Sequence, residues 1–222
     1  MTDIVNSLLN GDSQYLQIMV ILTMITIAPL LLIMLTGFVR IVIVLSITRN
    51  AIGLTTMPPN TVIIALALFL TYFVMSPVIT QINETAYTPY IQNEIDVQEF
   101  MDQAMVPMRD FMLRQTYESD LDFFVDLSGI GDGSDGSVAV EDVPNHVVIA
   151  AFMTSELKHA FAIGFFIYIP FLVIDMLVAS VLMSMGMMML PPATISMPFK
   201  ILLFVLVDGW QLTFGTLIKS FG

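Results

Sequence analysis

The sequence predicts an all-α protein of hydrophobic helices with an acidic, partly helical insert between them. Apolar residues make up 57 % of the 222 residues, which is more than an ordinary soluble domain contains. They gather in four long runs in which apolar and polar residues do not alternate, and this pattern favours helices over a barrel. We therefore expect an integral membrane protein or a part of a membrane-embedded assembly.

Each apolar run is long enough to cross a membrane as a helix. A helix rises about 1.5 Å per residue, so roughly 20 residues cover about 30 Å of hydrocarbon. The runs extend from Leu16 to about Ile47, from Thr61 to about Thr80, from Phe161 to Leu190 and from Ile195 to about Ile218. Arg40 lies inside the first run, so a long bent or re-entrant element fits that run as well as a straight span does.

The net charge of −12 belongs entirely to one part of the chain. Residues 81–160 hold fifteen acidic and three basic residues, and the rest of the chain is neutral. The charge pattern thus divides the chain into N-terminal hydrophobic helices (1–80), an acidic insert outside the membrane (81–160) and a C-terminal hydrophobic helical hairpin (161–222).

The few basic residues near the apolar runs predict an orientation. Arg40 and Arg49 lie beside the connection between the first two runs, and Lys200 lies near the connection between the last two. The positive-inside rule places both connections in the cytoplasm, and the acidic insert and the N-terminus outside. Residues 1–10 contain no Lys or Arg, so we expect a signal peptide to be either absent or already removed.

The insert is expected to contain helices and one flexible loop. Apolar side chains at three- and four-residue spacing predict an amphipathic helix that continues past Arg114 towards Phe124. These side chains are Val97, Met101, Ala104, Met108 and Phe111. Helical character resumes from about Val147, after a loop over residues 128–137 that is rich in Gly, Asp and Ser and is flexible by composition.

This loop has the composition of a calcium-binding loop without its pattern. With Gly136 in the sixth position of such a loop, Gly131 and Gly133 stand where carboxylates are needed. The twelfth position is Asp142 instead of Glu. We therefore interpret residues 131–136 as a solvated linker.

The sequence contains no pattern typical of catalysis. His146 and His159 are the only histidines, no metalloprotease, hydrolase or nucleotide-binding motif accompanies them, and we expect both to be structural or exposed. The absence of cysteine excludes disulfides, thiolate metal sites and cysteine nucleophiles. An acidic chain also lacks the Lys and Arg footprint of nucleic-acid binding. We expect no enzyme activity, cofactor, metal or nucleic-acid partner.

Four ionisable residues lie among strongly apolar neighbours and are candidates for a functional role. A bare charge in lipid costs at least about 2.5 to 3.5 kcal/mol. The four are Arg40, Asp175, Lys200 and Asp208. Asp175 and Lys200 can neutralise each other across neighbouring helices or neighbouring subunits. Alternatively, Lys200 and Asp208 reach an interface or cap a helix.

A methionine run ends the third apolar segment. Met183, Met185, Met187, Met188 and Met189 fall within seven residues and precede two prolines. The prolines cannot continue a helix, so we expect the methionines at a helix end or in a bent loop. Unbranched thioethers make a soft surface that can repack around changing shapes, and such a surface can line an opening.

The methionines are also expected to share a helix face with the charged residue before them. Asp175, Ala179, Met183 and Met187 repeat every four residues, which is the spacing of one helix face. The charge and the methionines would then face the same protein interior.

Several separate motifs occur in the same order as in one known family. In the first half they are Arg49-Asn50-Ala51, Pro58-Pro59-Asn60 and Met75-Ser76-Pro77-Val78. In the second half they include Ser155-Glu156-Leu157-Lys158, Ile169-Pro170-Phe171, Pro198-Phe199-Lys200 and Asp208-Gly209-Trp210. Nearly the whole chain thereby resembles the FliP family of flagellar type III export gate proteins. Injectisome counterparts are the nearest alternative, and the flagellar members match more closely.

The resemblance implies an assembly and a place. FliP-like proteins form a homopentameric ring with FliQ-type and FliR-type subunits, and unfolded flagellar proteins leave the cytoplasm through its centre. Their hydrophobic helices are bent hairpins packed against neighbouring subunits. The assembly belongs to the bacterial inner (cytoplasmic) membrane and the flagellar basal body, is partly raised to the periplasmic side, and contacts lipid and other export-apparatus proteins.

The resemblance also implies residue roles. Met187, Met188 and Met189 correspond to a gasket that closes the pore, with Met183 and Met185 as support. Asp175, Lys200 and Glu156 correspond to buried charges that serve assembly. Because the chain has no ATP or GTP motif, the implied mechanism is a passive gate.

Two other classes stay open. A transporter of small solutes or ions would use Asp175 and Lys200 as its coupling site. A structural membrane scaffold would need no pore, and its methionines would fill interfaces.

Overall fold

All regular elements in the described part of the chain are helices. The computed structural model describes residues 13–130, 139–187 and 189–222. The longer helices are α1 (Ser13–Leu35), α2 (Phe38–Ala51), α3 (Asn60–Ile82), α4 (Val97–Gln115), α5 (Glu118–Ser128), α6 (Asn145–Ser184), α7 (Pro192–Leu206) and α8 (Gly209–Lys219). The described residues contain no strand, so the prediction of an all-α fold is confirmed. The interpretations of the loop at residues 131–136 and of residues 1–10 fall outside the described residues.

The chain divides into two compact units. The first is residues 1–35, of which α1 is described, and the second is residues 36–222. Helix α1 contains Pro29, and several of its apolar side chains between Ile18 and Leu32 are exposed. The second unit contains α2 to α8. The predicted boundaries at residues 80 and 160 stay a prediction.

The second unit is built around the long helix α6, which packs against α2. Helix α2 is fully buried along one side, at Ile41, Val44 and Leu45. Gly164 of α6 permits the close approach of the two helices, because a Cβ at this position would lie 2.5 Å from the Cδ1 atom of Ile47. The 40-residue helix α6 runs without a break from the insert into the third apolar run.

Several helices have the length and composition of membrane spans. Helix α3 continues through a π-helical turn and one short helix to Ile91, and this continuous stretch and α6 each pass for a span by length and composition. Two pairs of shorter apolar helices, each interrupted by a short break, raise the number to as many as four among the described residues. Helices α7 and α8 form one such pair and are bent by 64°. These findings fit the predicted membrane protein with bent hydrophobic helices.

Residues 97–128 of the insert form two helices where the sequence predicted one. Asp96 is the N-cap residue just before α4, and its side chain accepts a hydrogen bond from the backbone N–H of Glu99. The chain turns extended at Thr116 and Tyr117. The N–H of Tyr117 donates to the hydroxyl oxygen of Ser155 at 3.0 Å, so it is not available for a continuing helix.

The amphipathic face of α4 was predicted correctly only in its second half. Phe111 is buried, whereas Val97 and Met101 are 60 % and 59 % exposed. Arg109 links α4 to the start of α6. It donates to the side chain of Asn145 and to two backbone carbonyls just before α6. The second half of α4 is therefore attached to the start of α6.

Candidate functional site

The methionine segment, residues 183–189, lies at the turn between α6 and α7. Helix α6 ends at Ser184, and α7 begins at Pro192. Gly186 turns the chain with a φ of 75°, a left-handed conformation that glycine adopts without steric cost. The segment therefore lies at a helix end and a bend, where the prolines indicated. Met188 falls outside the described residues.

The methionine side chains that the structure describes in this segment are largely exposed. Met183, Met185 and Met189 are 65 %, 66 % and 98 % exposed. Met187 is 40 % exposed and lies beyond the last residue of α6. The expected helix face that joins Met187 to Asp175 is thus wrong, because the helix ends before it. Flexible thioethers form an exposed apolar surface at this turn.

Asp175 of α6 and Lys200 of α7 form an ion pair within one chain. The Nζ of Lys200 lies 2.5 Å from Oδ2 of Asp175, and Ser196 donates its hydroxyl to Oδ1 of the same carboxylate. Lys200 is buried, whereas the side chain of Asp175 is 33 % exposed. The two charges are therefore paired with each other within one chain, which is the first of the two interpretations of the sequence. Ser196 was not predicted from the sequence. It precedes Lys200 by one helical turn, and this spacing could have indicated that both side chains bind Asp175.

Asp208 lies exposed at the break between α7 and α8. Its φ is 50°, and its carbonyl accepts the N–H of Leu212 at 3.0 Å. Its side chain makes no capping hydrogen bond. Asp208 therefore occupies the N-cap position of α8, as one alternative expected, but only its backbone takes part in the cap.

Arg40 of α2 and Glu156 of α6 form a second ion pair, with no exposure of either side chain. The Nε of Arg40 donates to Oε2 of Glu156 at 3.1 Å, and Nη2 donates to Oε1. Nη2 also donates to Oε1 of Gln115 at 3.0 Å. Nη1 donates to the carbonyl oxygen of Ser220 at 2.8 Å and to its hydroxyl at 3.1 Å. All five N–H groups of the guanidinium therefore have acceptors.

The surroundings of Arg40 correct one expectation and extend another. Arg40 does not lie beside the connection between the first two apolar runs, because it lies in the first turn of α2 and the connection follows Ala51 at the other end. The predicted orientation then depends on Arg49 and Lys200 and stays a prediction. Sequence reasoning singled out Arg40 and Glu156 separately, and no local signal joins two residues that are 116 positions apart.

A third ion pair attaches α5 to α6. Lys158 donates from Nζ to Oδ1 of Asp120, and the hydroxyl of Ser155 donates to Oδ2 at 2.7 Å. Burial raises the pKa of Asp120, but the hydrogen bonds from Lys158 and Ser155 outweigh it, so this pKa lies below the ordinary 3.8. The carboxylate is therefore held in its charged form at neutral pH.

The two histidines have the structural or exposed positions that were expected. His146 is exposed at the start of α6. The ring of His159 stacks on Tyr117 with 4.4 Å between the centroids, and its Nδ1 lies 3.0 Å from the tyrosine hydroxyl. Among the residues that the structure describes, no three His, Asp or Glu side chains are grouped so that they could hold a metal ion.

The fold and these contacts define a class of protein: an α-helical membrane protein whose apolar helices are joined through paired buried charges. Comparison with known proteins specifies the family. The FliP family model matches residues 21–217. The flagellar biosynthetic protein FliP of Pectobacterium carotovorum subsp. carotovorum is 52 % identical over 215 residues, which cover 96 % of this chain and 82 % of that protein.

Two further relatives support the same assignment. The FliP protein of Bacillus subtilis (strain 168) is 48 % identical over 225 residues and is covered completely, as is this chain. That of Aquifex aeolicus (strain VF5) is 48 % identical over 206 residues, covering 93 % of this chain and 85 % of that protein.

The chain belongs to the FliP family, so the resemblance noted from its motifs is confirmed. It is a flagellar biosynthetic protein and a component of the flagellar export apparatus. In that apparatus a FliP protein is a structural component and not a known enzyme. The apolar helices make it a membrane-embedded component.

Proposed function

We propose that this chain lines and closes the pore of the flagellar type III export gate. Five copies form a ring with FliQ-type and FliR-type subunits in the bacterial inner membrane, partly raised to the periplasmic side of the basal body. Unfolded flagellar proteins pass through the centre of the ring. Met187, Met188 and Met189 of each copy form a gasket, with Met183 and Met185 behind them.

The observation that carries this proposal is the exposure of the methionine segment. Met189 is 98 % exposed, and the segment lies at a turn between two apolar helices. A single chain gains nothing from exposing apolar side chains at such a turn. A ring of copies that brings these side chains together around one axis would bury them. Burial in the ring would therefore account for their exposure in the single chain.

The physical chemistry of methionine suits a closure that must also open. A narrow ring of apolar side chains can exclude water and thereby ions. The thioether chain has three rotatable bonds and repacks around different shapes, so a passing polypeptide pushes it aside. The force comes from elsewhere in the apparatus, since the gate itself is passive.

The buried charges serve assembly in this proposal. Asp175 with Lys200 and Arg40 with Glu156 each join two elements of one chain. Paired charges fix the relative position of helices whose apolar surfaces alone would allow sliding. Correctly placed helices then present the methionine segments to the axis.

Replacement of Met187, Met188 and Met189 together by alanine tests the gasket in cells that carry the complete apparatus. We expect normal assembly and a membrane that leaks ions, because alanine leaves the ring too wide to exclude water. Replacement of the same three residues by leucine restores the apolar bulk, and we expect it to restore the seal. The measurement is ion flux across the membrane.

The matched control replaces Met57, Met101 and Met176, which are similarly exposed elsewhere in the chain, by alanine. This variant should not leak. A sealed membrane in cells with the Met187, Met188 and Met189 alanine variant would contradict the gasket. Flux of one particular solute through the purified chain alone would favour a transporter instead.

A further inference from the structure

Residues 220 and 221, which follow α8, occupy a site formed by the other elements. Two of the five hydrogen bonds of the buried Arg40 guanidinium end on Ser220. The side chain of Gln115 donates from Nε2 to the carbonyl oxygen of Phe221 at 3.0 Å. Residues 220 and 221 are therefore bonded both to α2 and to the last residue of α4.

The aromatic ring of Phe221 completes this site. It lies over the Arg40 guanidinium with 3.9 Å from Cζ to the ring centroid, a distance at which a cation is attracted to the ring face. The Phe221 ring also stacks on the ring of Phe111 of α4, with 6.4 Å between the two ring centroids. A Cβ at Gly37 would lie 2.4 Å from the Phe221 ring, so a side chain at position 37 cannot coexist with the ring in this place.

Helix α8 has few other buried contacts. Its buried residues are Gly209, Thr213 and Leu217, a single row along one face, while Gln211, Leu212 and Lys219 are exposed. A short helix held along one narrow row depends strongly on how its end is fixed. At its other end α8 is joined to α7, the helix that carries Lys200, by the ring contact of Trp210 with Phe204 at 5.2 Å.

We infer that Ser220 and Phe221 form a latch that fixes α8 to α2 and to the acidic insert. The latch is received by Gly37, Arg40, Phe111 and Gln115. While it is seated, the position of α8 depends on the position of α4. When the ring leaves, α8 is released from the insert and two N–H groups of the buried guanidinium lose their acceptors.

Replacement of Gly37 by alanine displaces the ring without removing any charge or hydrogen-bonding group. The measurement is amide hydrogen exchange of the full chain in a mild detergent. We expect exchange in α8 and in the last turn of α4 to become roughly tenfold faster or more, as local opening becomes easier. Replacement of Gly215 by alanine is the matched control, because a Cβ there meets nothing within 4 Å. It should speed exchange in neither region, and the higher helix propensity of alanine should if anything slow exchange in α8.

Two further single replacements, Phe221→Ala and Gln115→Ala, test whether one latch connects the two regions. Each is expected to speed exchange both in α8 and in the last turn of α4. The double replacement should speed exchange in α8 little beyond Phe221→Ala alone, because both act on the same contact. Unchanged exchange in Gly37→Ala would overturn the latch. So would effects of Phe221→Ala confined to α8, or independent effects that multiply in the double variant.

Discussion

A guanidinium buried among apolar helices is stable only when its charge and all of its N–H groups are matched. Arg40 meets this requirement with the carboxylate of Glu156, the amide of Gln115, and the carbonyl and hydroxyl oxygens of Ser220, drawn from three distant parts of the chain. The complete site and a site that lacks one partner therefore differ in their effect on the free energy of unfolding. The complete site adds little net free energy, whereas loss of one partner leaves a buried charge without compensation.

Replacement of Glu156 by glutamine should accordingly destabilise the fold strongly. The change removes the negative charge and keeps the size, and breaking a buried pair in this way costs about 3 to 5 kcal/mol. The measurement is thermal unfolding of the full chain in a mild detergent. Asp126→Asn, at an exposed position, should change the midpoint very little. Equal midpoints for the two variants would show that Arg40 does not need its carboxylate.

The ion pair of Asp120, a residue of the acidic insert, makes the stability of the fold depend on pH. Its pKa is lower in the folded state than the ordinary 3.8, so its pairing stabilises the fold above the unfolded pKa and is lost as the pH falls through the folded pKa. Asp120→Asn should be less stable than the unchanged chain at pH 7, and the difference should shrink below about pH 4. Denaturant unfolding over this range checks it. A difference that grows on acidification would contradict the assigned pairing.

The sequence identified the residues of these sites better than their partners. Arg40, Asp175 and Lys200 stand out because charges among apolar neighbours need an explanation. Gln115, Ser220 and Phe221 have no such signal, since their roles arise only where the tertiary fold brings separate elements together.

At the scale of the element, helix positions followed from composition, and helix ends followed from it only in part. Two prolines marked the turn that carries the methionines, and the structure adds Gly186, which turns the chain there. The break between α4 and α5 was not predictable, because it depends on a hydrogen bond from Tyr117 to Ser155, 38 residues away. A local pattern cannot report such a competitor for the backbone N–H.

The pair of Asp175 with Lys200 joins α6 to α7 on either side of the methionine turn. Asp175→Ala should impair assembly or export, because it leaves the buried Lys200 without a carboxylate. Joint replacement of Asp175 by leucine and Lys200 by methionine removes both charges and should recover assembly, since well-packed apolar residues often substitute for a buried pair. Recovery of the assembled complex from membranes is the readout.

An Asp175→Ala variant that assembles and exports normally would show that the pair is not needed. A double variant that is as defective as the single one would indicate that the charges act on something other than each other.

At the scale of the whole molecule, the chain combines a hydrophobic helical part with a strongly acidic insert. The acidic part carries the entire net charge, and Arg109 and Lys158, two of its three basic residues, bind groups within the same chain. Membership of the FliP family explains why such a chain contains no catalytic pattern: its proposed work is to form an opening and to close it.

The absence of cysteine permits the most direct measurement of this central claim. A single Met189→Cys replacement puts the only thiol of the chain at the more exposed of the two gasket methionines that the structure describes. In the complete apparatus, oxidation or a short bifunctional thiol reagent should join neighbouring copies into covalent dimers, because a closed ring brings these positions within reach of each other. Met57→Cys, at an exposed position in the connection between α2 and α3, should form no covalent dimer. A Met189→Cys thiol that reacts with a small maleimide in the assembled complex yet never joins two copies would contradict the gate.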